Sequence, residues 1–204
     1  TSSNQEVFDF HRFPHYAKSQ HLFSSATGGL DGSNPANFDA YKAYIGERIT
    51  DLVASLKQTV DAAEVSEGRT MEFSASVWRD PDVGLNSYMQ DYRTWMENDL
   101  LDVVMPMIYL SASNDETFFN ANLLNTMQIN PNTRVVPTFA SYLHVGSGGG
   151  GVDLTRSQVE RAYLSRADGV NFYDHPAYFN SYSAADRQVL MDYFDSIKDP
   201  NSSS

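Results

Sequence analysis

The sequence predicts an α/β fold built on a parallel sheet, and three observations carry that prediction. Strand-like and helix-like segments alternate five times along the 204 residues. Such alternation folds as parallel strands joined by right-handed crossovers. Residues 102–109 (Asp-Val-Val-Met-Pro-Met-Ile-Tyr) are nearly all apolar, which suits a strand buried on both faces of a parallel sheet. The longest helical segment places Phe38, Tyr41, Ile45, Ile49, Leu52, Val53, Leu56 and Val60 mostly three or four residues apart, a one-sided apolar stripe.

The elements follow in order. The first strand is predicted over residues 6–10 and closes at Arg12-Phe13-Pro14. A loop rich in Ser, Gly and Asn covers residues 24–34, and Pro35 sits near the first turn of the long helix, where its missing N–H costs little. Residues 64–68 end that helix. Residues 71–78 form the second strand, and a loop with Arg79-Asp80-Pro81-Asp82 leads to a helix at residues 90–98. The apolar strand at 102–109 precedes a helix over 115–127. The fourth strand spans 134–139, and its loop carries the glycine tract 146–151. A helix over 155–166 opens with Thr155 and Gln158 in the spacing of a capping box. Residues 169–173 are the fifth strand, and a helix over 183–197 is capped by Ser183 with Asp186 three residues on. Residues 201–204 are a polar, mobile tail after a single domain over 1–200. Five such units build either an open doubly wound sheet or part of a barrel, and periodicity does not decide between them.

Composition narrows the functions. Net charge is −12, which argues against nucleic acid, whose phosphates require basic patches. It also repels anionic membrane surfaces and polyanions at long range. No apolar run approaches the roughly 20 residues of a membrane span. The absence of cysteine excludes disulfides, thiolate metal sites and a cysteine nucleophile. It also suits a bacterial exported protein, and an extracellular, periplasmic or cell-surface location is the expectation, although the first residues do not read as a secretory leader.

Residues 7–14 (Val-Phe-Asp-Phe-His-Arg-Phe-Pro) resemble a strand-end signature of the glycosyl-hydrolase-like family 10 proteins, in which an Asp is followed by an aromatic, then Arg or Tyr, an aromatic and Pro. Residues 48–53, 73–78 and 169–173 are similar to later segments of that family, and residues 88–95 followed by 101–109 are the most specific match. The resemblance covers roughly residues 5–180. It implies a (β/α)8 (TIM) barrel of which this chain holds about five C-terminal units, strands four to eight, with the Asp9 strand as strand four. It also implies a glycoside hydrolase acting on a polysaccharide or oligosaccharide; from the residues themselves no metal and no cofactor is expected. The family often has Gln where Met107 stands, and the 146–151 loop is unlike it. A partial barrel exposes two sheet edges, so the missing N-terminal half or another chain is expected to cover them.

In such barrels the functional groups sit at the C-terminal ends of the strands, and glycosidases employ two carboxylates. Asp9 leads the candidates. It lies in an apolar and aromatic segment where an unpaired charge is expensive, with Arg12 close enough to keep it ionised. It reads as nucleophile or base, or as half of a structural pair with Arg12. Asp80 reads as an acid partner or as a turn residue before Pro81. Asp174, beyond the last strand, reads as a catalytic or substrate-binding carboxylate or as a cap. No Glu falls at a strand end. That gap keeps open an alternative, a non-catalytic glycan-binding or cell-surface structural protein on the same fold. Trp78, Tyr109, Tyr142 and Tyr173 are candidates to line a sugar cleft, with core packing as the other use, and Tyr109 is the strongest. His144 and His175 are candidates for substrate hydroxyls. His11 and His15 flank Pro14 in a strand and loop and do not make a metal face. The glycine tract lacks the Lys of a phosphate loop.

Overall fold

The computed structural model describes residues 16–110, 116–145, 150–174 and 179–198. The strand predicted at 6–10, and with it Asp9, His11, Arg12 and His15, lies outside the described residues. So do His175, the tail and most of the glycine tract.

Within those bounds the chain is α/β with a parallel sheet. The elements run α1 (Tyr16–Ala26), α2 (Phe38–Glu67), β1 (Ser74–Trp78), α3 (Pro81–Tyr88), α4 (Tyr92–Glu97), β2 (Val103–Met107), α5 (Glu116–Met127), β3 (Arg134–Val135), β4 (Thr138–Ala140), α6 (Ser141–His144), α7 (Gly151–Leu164), β5 (Asn171–Tyr173) and α8 (Ala184–Lys198). A 3-10 turn at Pro35–Asn37 leads into α2, and Asn34 caps it by accepting the Ala36 N–H at 3.0 Å. The sheet order is β1-β2-β4-β5, with β3 on β2 and every pairing parallel. The predicted fourth strand is interrupted into β3 and β4 because Pro137 has no N–H to add to the ladder.

The core lies between one face of the sheet and the helices. Val77, Val104, Val135 and Phe139 pack with Val53, Trp95, Phe119, Leu123 and Val159 from the helical layer. Registered partners in parallel strands share a face, so Ser76 with Met105, and Trp78 with Met107, Thr138 and Asn171, form the opposite face. That face begins with exposed Ser74 and Ser76. Full burial of a side chain the size of Phe139 stabilises by about 1.5–3 kcal/mol, and such contacts hold the helices to the sheet.

Several expectations change. The buried line of α2 is narrower than its apolar stripe: Tyr41, Gly46 and Val53 are buried, whereas Leu52 and Leu56 face solvent. Helix α1 replaces the start of a predicted irregular region; its anchor is Phe23, fully buried against Tyr41 and Tyr44. The single helix expected at 90–98 is preceded by α3, which starts at Pro81. The capping box at Thr155 is wrong. Helix α7 starts at Gly151 behind Gly150, whose φ of 76° suits glycine, and Thr155 is buried inside the helix. The Ser183–Asp186 cap forms as read: Ser183 Oγ accepts the Asp186 N–H at 3.1 Å, and Asp186 Oδ2 accepts the Ser183 N–H at 3.2 Å.

Candidate functional site

Parallel strands put all their C-terminal ends on one rim. Trp78 ends β1, Tyr109 follows β2 by two residues, Tyr142 lies in α6 directly after β4, and Tyr173 ends β5. Three of these rings meet. Tyr109 and Tyr173 are nearly parallel, 5.9 Å apart at an interplanar angle of 18°. Tyr142 stands edge-on to both, 6.4 Å from each. Tyr142 is 47% and Tyr173 52% exposed, while Tyr109 is half-buried. The result is a three-walled aromatic corner open to solvent. Burial raises the Tyr109 pKa above the ordinary tyrosine value, and the neighbouring Tyr142 and Tyr173 push it the same way. The Tyr109 hydroxyl is therefore neutral at physiological pH and available as donor and acceptor.

Trp78 does not join this corner. Its ring stacks on Tyr88 at 4.2 Å, and its backbone N–H donates to Gln90 Oε1 at 2.7 Å. Asp80 is the N-cap of α3: its Oδ1 accepts the N–H groups of Asp82 and Val83, both at 2.9 Å. This matches the turn reading. Asp174 follows Tyr173 at the rim and is half-buried; the peptide bond between them is cis.

Sequence reasoning missed what lies beneath the corner. His144, two residues after Tyr142 in α6 and so on the opposite side of the helix, is fully buried. Its Nδ1 is 2.8 Å from Thr155 Oγ1, which in turn lies 2.6 Å from the Tyr182 hydroxyl. Thr155 also donates to the Gly151 carbonyl at 3.2 Å. Burial pushes the His144 pKa down to about 4, although the Gln158 side chain and the Leu110 carbonyl favour its protonated form. Its Nε2 makes no hydrogen bond of good geometry, and the buried Ser141 hydroxyl and Gln158 amide are likewise unmatched among the described residues. The spacing of Thr155 and Gln158 was the available signal: it also places two polar side chains on one helix face. His144 therefore meets protein hydroxyls rather than the solvent-facing surface.

A groove of about 770 Å³ lies elsewhere, between α2 and the α3–α4 pair. Its acids are engaged, Asp39 with Lys42 at 3.2 Å, Asp51 with Arg48 at 3.1 Å and Asp91 as the α4 cap. No group of three His, Asp or Glu side chains among the described residues could hold a metal ion. No helix among them is long and apolar enough to cross a membrane. No protein-family model matches the chain, and no curated protein matches it.

Proposed function

We propose that this chain is the C-terminal part of a (β/α)8 barrel that binds a saccharide at the C-terminal rim and hydrolyses its glycosidic bonds. The Tyr109–Tyr142–Tyr173 corner carries the proposal. Sugar rings have apolar C–H faces and hydroxyl edges, and a cluster of exposed phenols offers both a stacking wall and hydrogen-bonding groups. Asp174 is the rim carboxylate beside that corner. Asp9, from the segment resembling family 10, is the second carboxylate that hydrolysis requires.

The barrel reading draws on strand order. Along β1-β2-β4-β5 each strand lies beside its predecessor, and the described residues contain no reversal. A doubly wound sheet reverses at a switch point and is covered by helices on both faces. The core uses one face here, and the other begins with exposed serines. In this reading, β1 and β5 are closed over by the remaining barrel units or by another chain.

The test pairs an oligosaccharide binding screen with an assay for released reducing ends. Tyr109→Ala and Tyr173→Ala should each weaken binding at least about ten-fold with little change in melting temperature. Asp9→Asn and Asp174→Asn should remove turnover and leave binding. Saccharide affinity unchanged in both tyrosine variants would remove the proposal. A second reading, binding without turnover, is favoured by one observation: Asp80, a candidate acid, is occupied as a helix cap. Binding with no released ends from the full protein would select it.

A further inference from the structure

Arg79 directly follows β1, and its guanidinium carbon lies 5.0 Å from the ring centroids of both Trp78 and Phe118. Trp78 ends β1, and Phe118 sits in the first turn of α5. The cation thus ties two neighbouring strand-to-helix connections together at the C-terminal rim. Stacking occupies the faces of a guanidinium and leaves its N–H edges, the donors that grip a carboxylate with two parallel hydrogen bonds. Among the described residues Arg79 makes no hydrogen bond or ion pair.

The acids near it in sequence are engaged. Asp80 Oδ1 caps α3, and Asp82 pairs with Arg93 at 3.4 Å. A second unmet donor adjoins the cation. The Trp78 indole Nε1 is buried and has no partner among the described residues, although the ring lies directly under Arg79. A buried N–H left unpaired is costly, and native proteins match nearly all of them. That N–H is too buried to meet a ligand, so the guanidinium, with its edges free, is the group complementary to an anionic oxygen.

We propose that Arg79, held between the Trp78 and Phe118 rings, receives a carboxylate of the bound saccharide, so that the ligand is an acidic sugar chain of uronate type. This rests on the saccharide reading and narrows it. The net charge of −12 opposes a densely charged polyanion at long range. The fitting ligand therefore alternates acidic sugars with neutral ones.

The experiment is an array of oligosaccharides in which uronates alternate with neutral sugars, each beside its carboxyl-reduced counterpart, probed with the protein and its Arg79→Gln variant. The acidic member of a pair should bind at least about ten-fold tighter than the reduced one, as expected for a desolvated charge-assisted pair. In Arg79→Gln that ratio should collapse toward unity, while affinity for the reduced member and the melting temperature hold. Arg79→Lys should recover only part of the ratio, because an ammonium cannot present the planar fork. Tyr173→Ala should weaken both members alike. Equal binding of both members by the wild type, or an unchanged ratio in Arg79→Gln, overturns the role of Arg79 and leaves the saccharide reading standing. Binding of neither member overturns both.

Discussion

At the N-terminal ends of the strands, Asp102 Oδ2 accepts the Phe73 N–H at 2.7 Å while its own N–H donates to the Phe73 carbonyl at 2.9 Å. The arrangement recurs where β5 begins: Asp168 Oδ2 accepts the Val135 N–H at 2.8 Å, and its N–H donates to the Val135 carbonyl at 3.0 Å. Lys57 adds charge pairing from α2, reaching Asp61 at 2.8 Å and Asp102 at 3.4 Å, and these partners raise its pKa, Asp61 most. At the C-terminal ends, by contrast, Arg79 has no acceptor among the described residues, and Trp78 Nε1, His144 Nε2 and Ser141 Oγ are buried without partners among them. One rim locks strand to strand and leaves one buried side-chain group, Thr133 Oγ1 ahead of β3, without a partner among the described residues. The other keeps donors unmatched and aromatic faces open. Unmet polar groups are rare in folded chains; the open aromatic faces and Arg79 mark the rim where a ligand is expected, and the cross-strand carboxylates mark where stability is held.

The sharpest way to break this contrast is acid. His144 is neutral in the folded protein down to about pH 4, whereas in the unfolded chain it protonates near 6.5. The stability tied to the neutral ring is complete above pH 6.5. As pH falls from 6.5 toward 4 the unfolded state takes up a proton that the folded state refuses, and that stability is lost. The gap between about 4 and 6.5 corresponds to at most about 3 kcal/mol. Urea unfolding at pH 7.5 and 4.5 should therefore show a larger acid loss in the wild type than in His144→Gln. Equal losses would mean that the ring is not the acid-sensitive group, and the contrast between the two rims would lose its buried histidine.

Next in size is the N-terminal clamp. Asp102→Ala removes the acceptor for Phe73 N–H and one partner of Lys57, and should cost about 1–2 kcal/mol, since the carboxylate is partly exposed to solvent. Differential melting would read it. The same substitution should leave saccharide binding unchanged, because the residue lies at the opposite rim; lost affinity in a folded Asp102→Ala protein would blur the division between the two ends.

The division was half legible in the sequence. The strands from β1 to β5 and the Ser183 cap follow from local chemistry, and so does the placement of Tyr109, Tyr142 and Tyr173 near strand ends, whereas the α2 stripe overstates what is buried. Their mutual contact depends on strand register, which one chain of letters does not display. Arg79 was passed over because its second ring, Phe118, arrives from the next unit. Thr155 was misread because a capping box and a pair of inward polar residues share the same spacing, and only the packing of His144 and Tyr182 against α7 separates them. Helix α1 escaped notice because a single apolar side chain, Phe23, holds it to α2.

The smallest predicted effect concerns Asp80, which stands at the functional rim yet behaves like a residue of the other one. Its Oδ1 accepts two backbone N–H groups of α3, a role Asn fills as well as Asp and Ala does not. Asp80→Ala should cost about 1 kcal/mol in thermal unfolding, near the typical value of an N-cap. Asp80→Asn should match the wild type in melting temperature, and in glycan turnover if the protein has any. The Asn variant separates the two roles because it retains the acceptor oxygen and loses the charge and the titratable proton. A cap needs the first, whereas an acid catalyst needs the second. Turnover lost in Asp80→Asn at an unchanged melting temperature would make Asp80 one of the two carboxylates, and the corner's chemistry would then extend across the rim from β5 to β1.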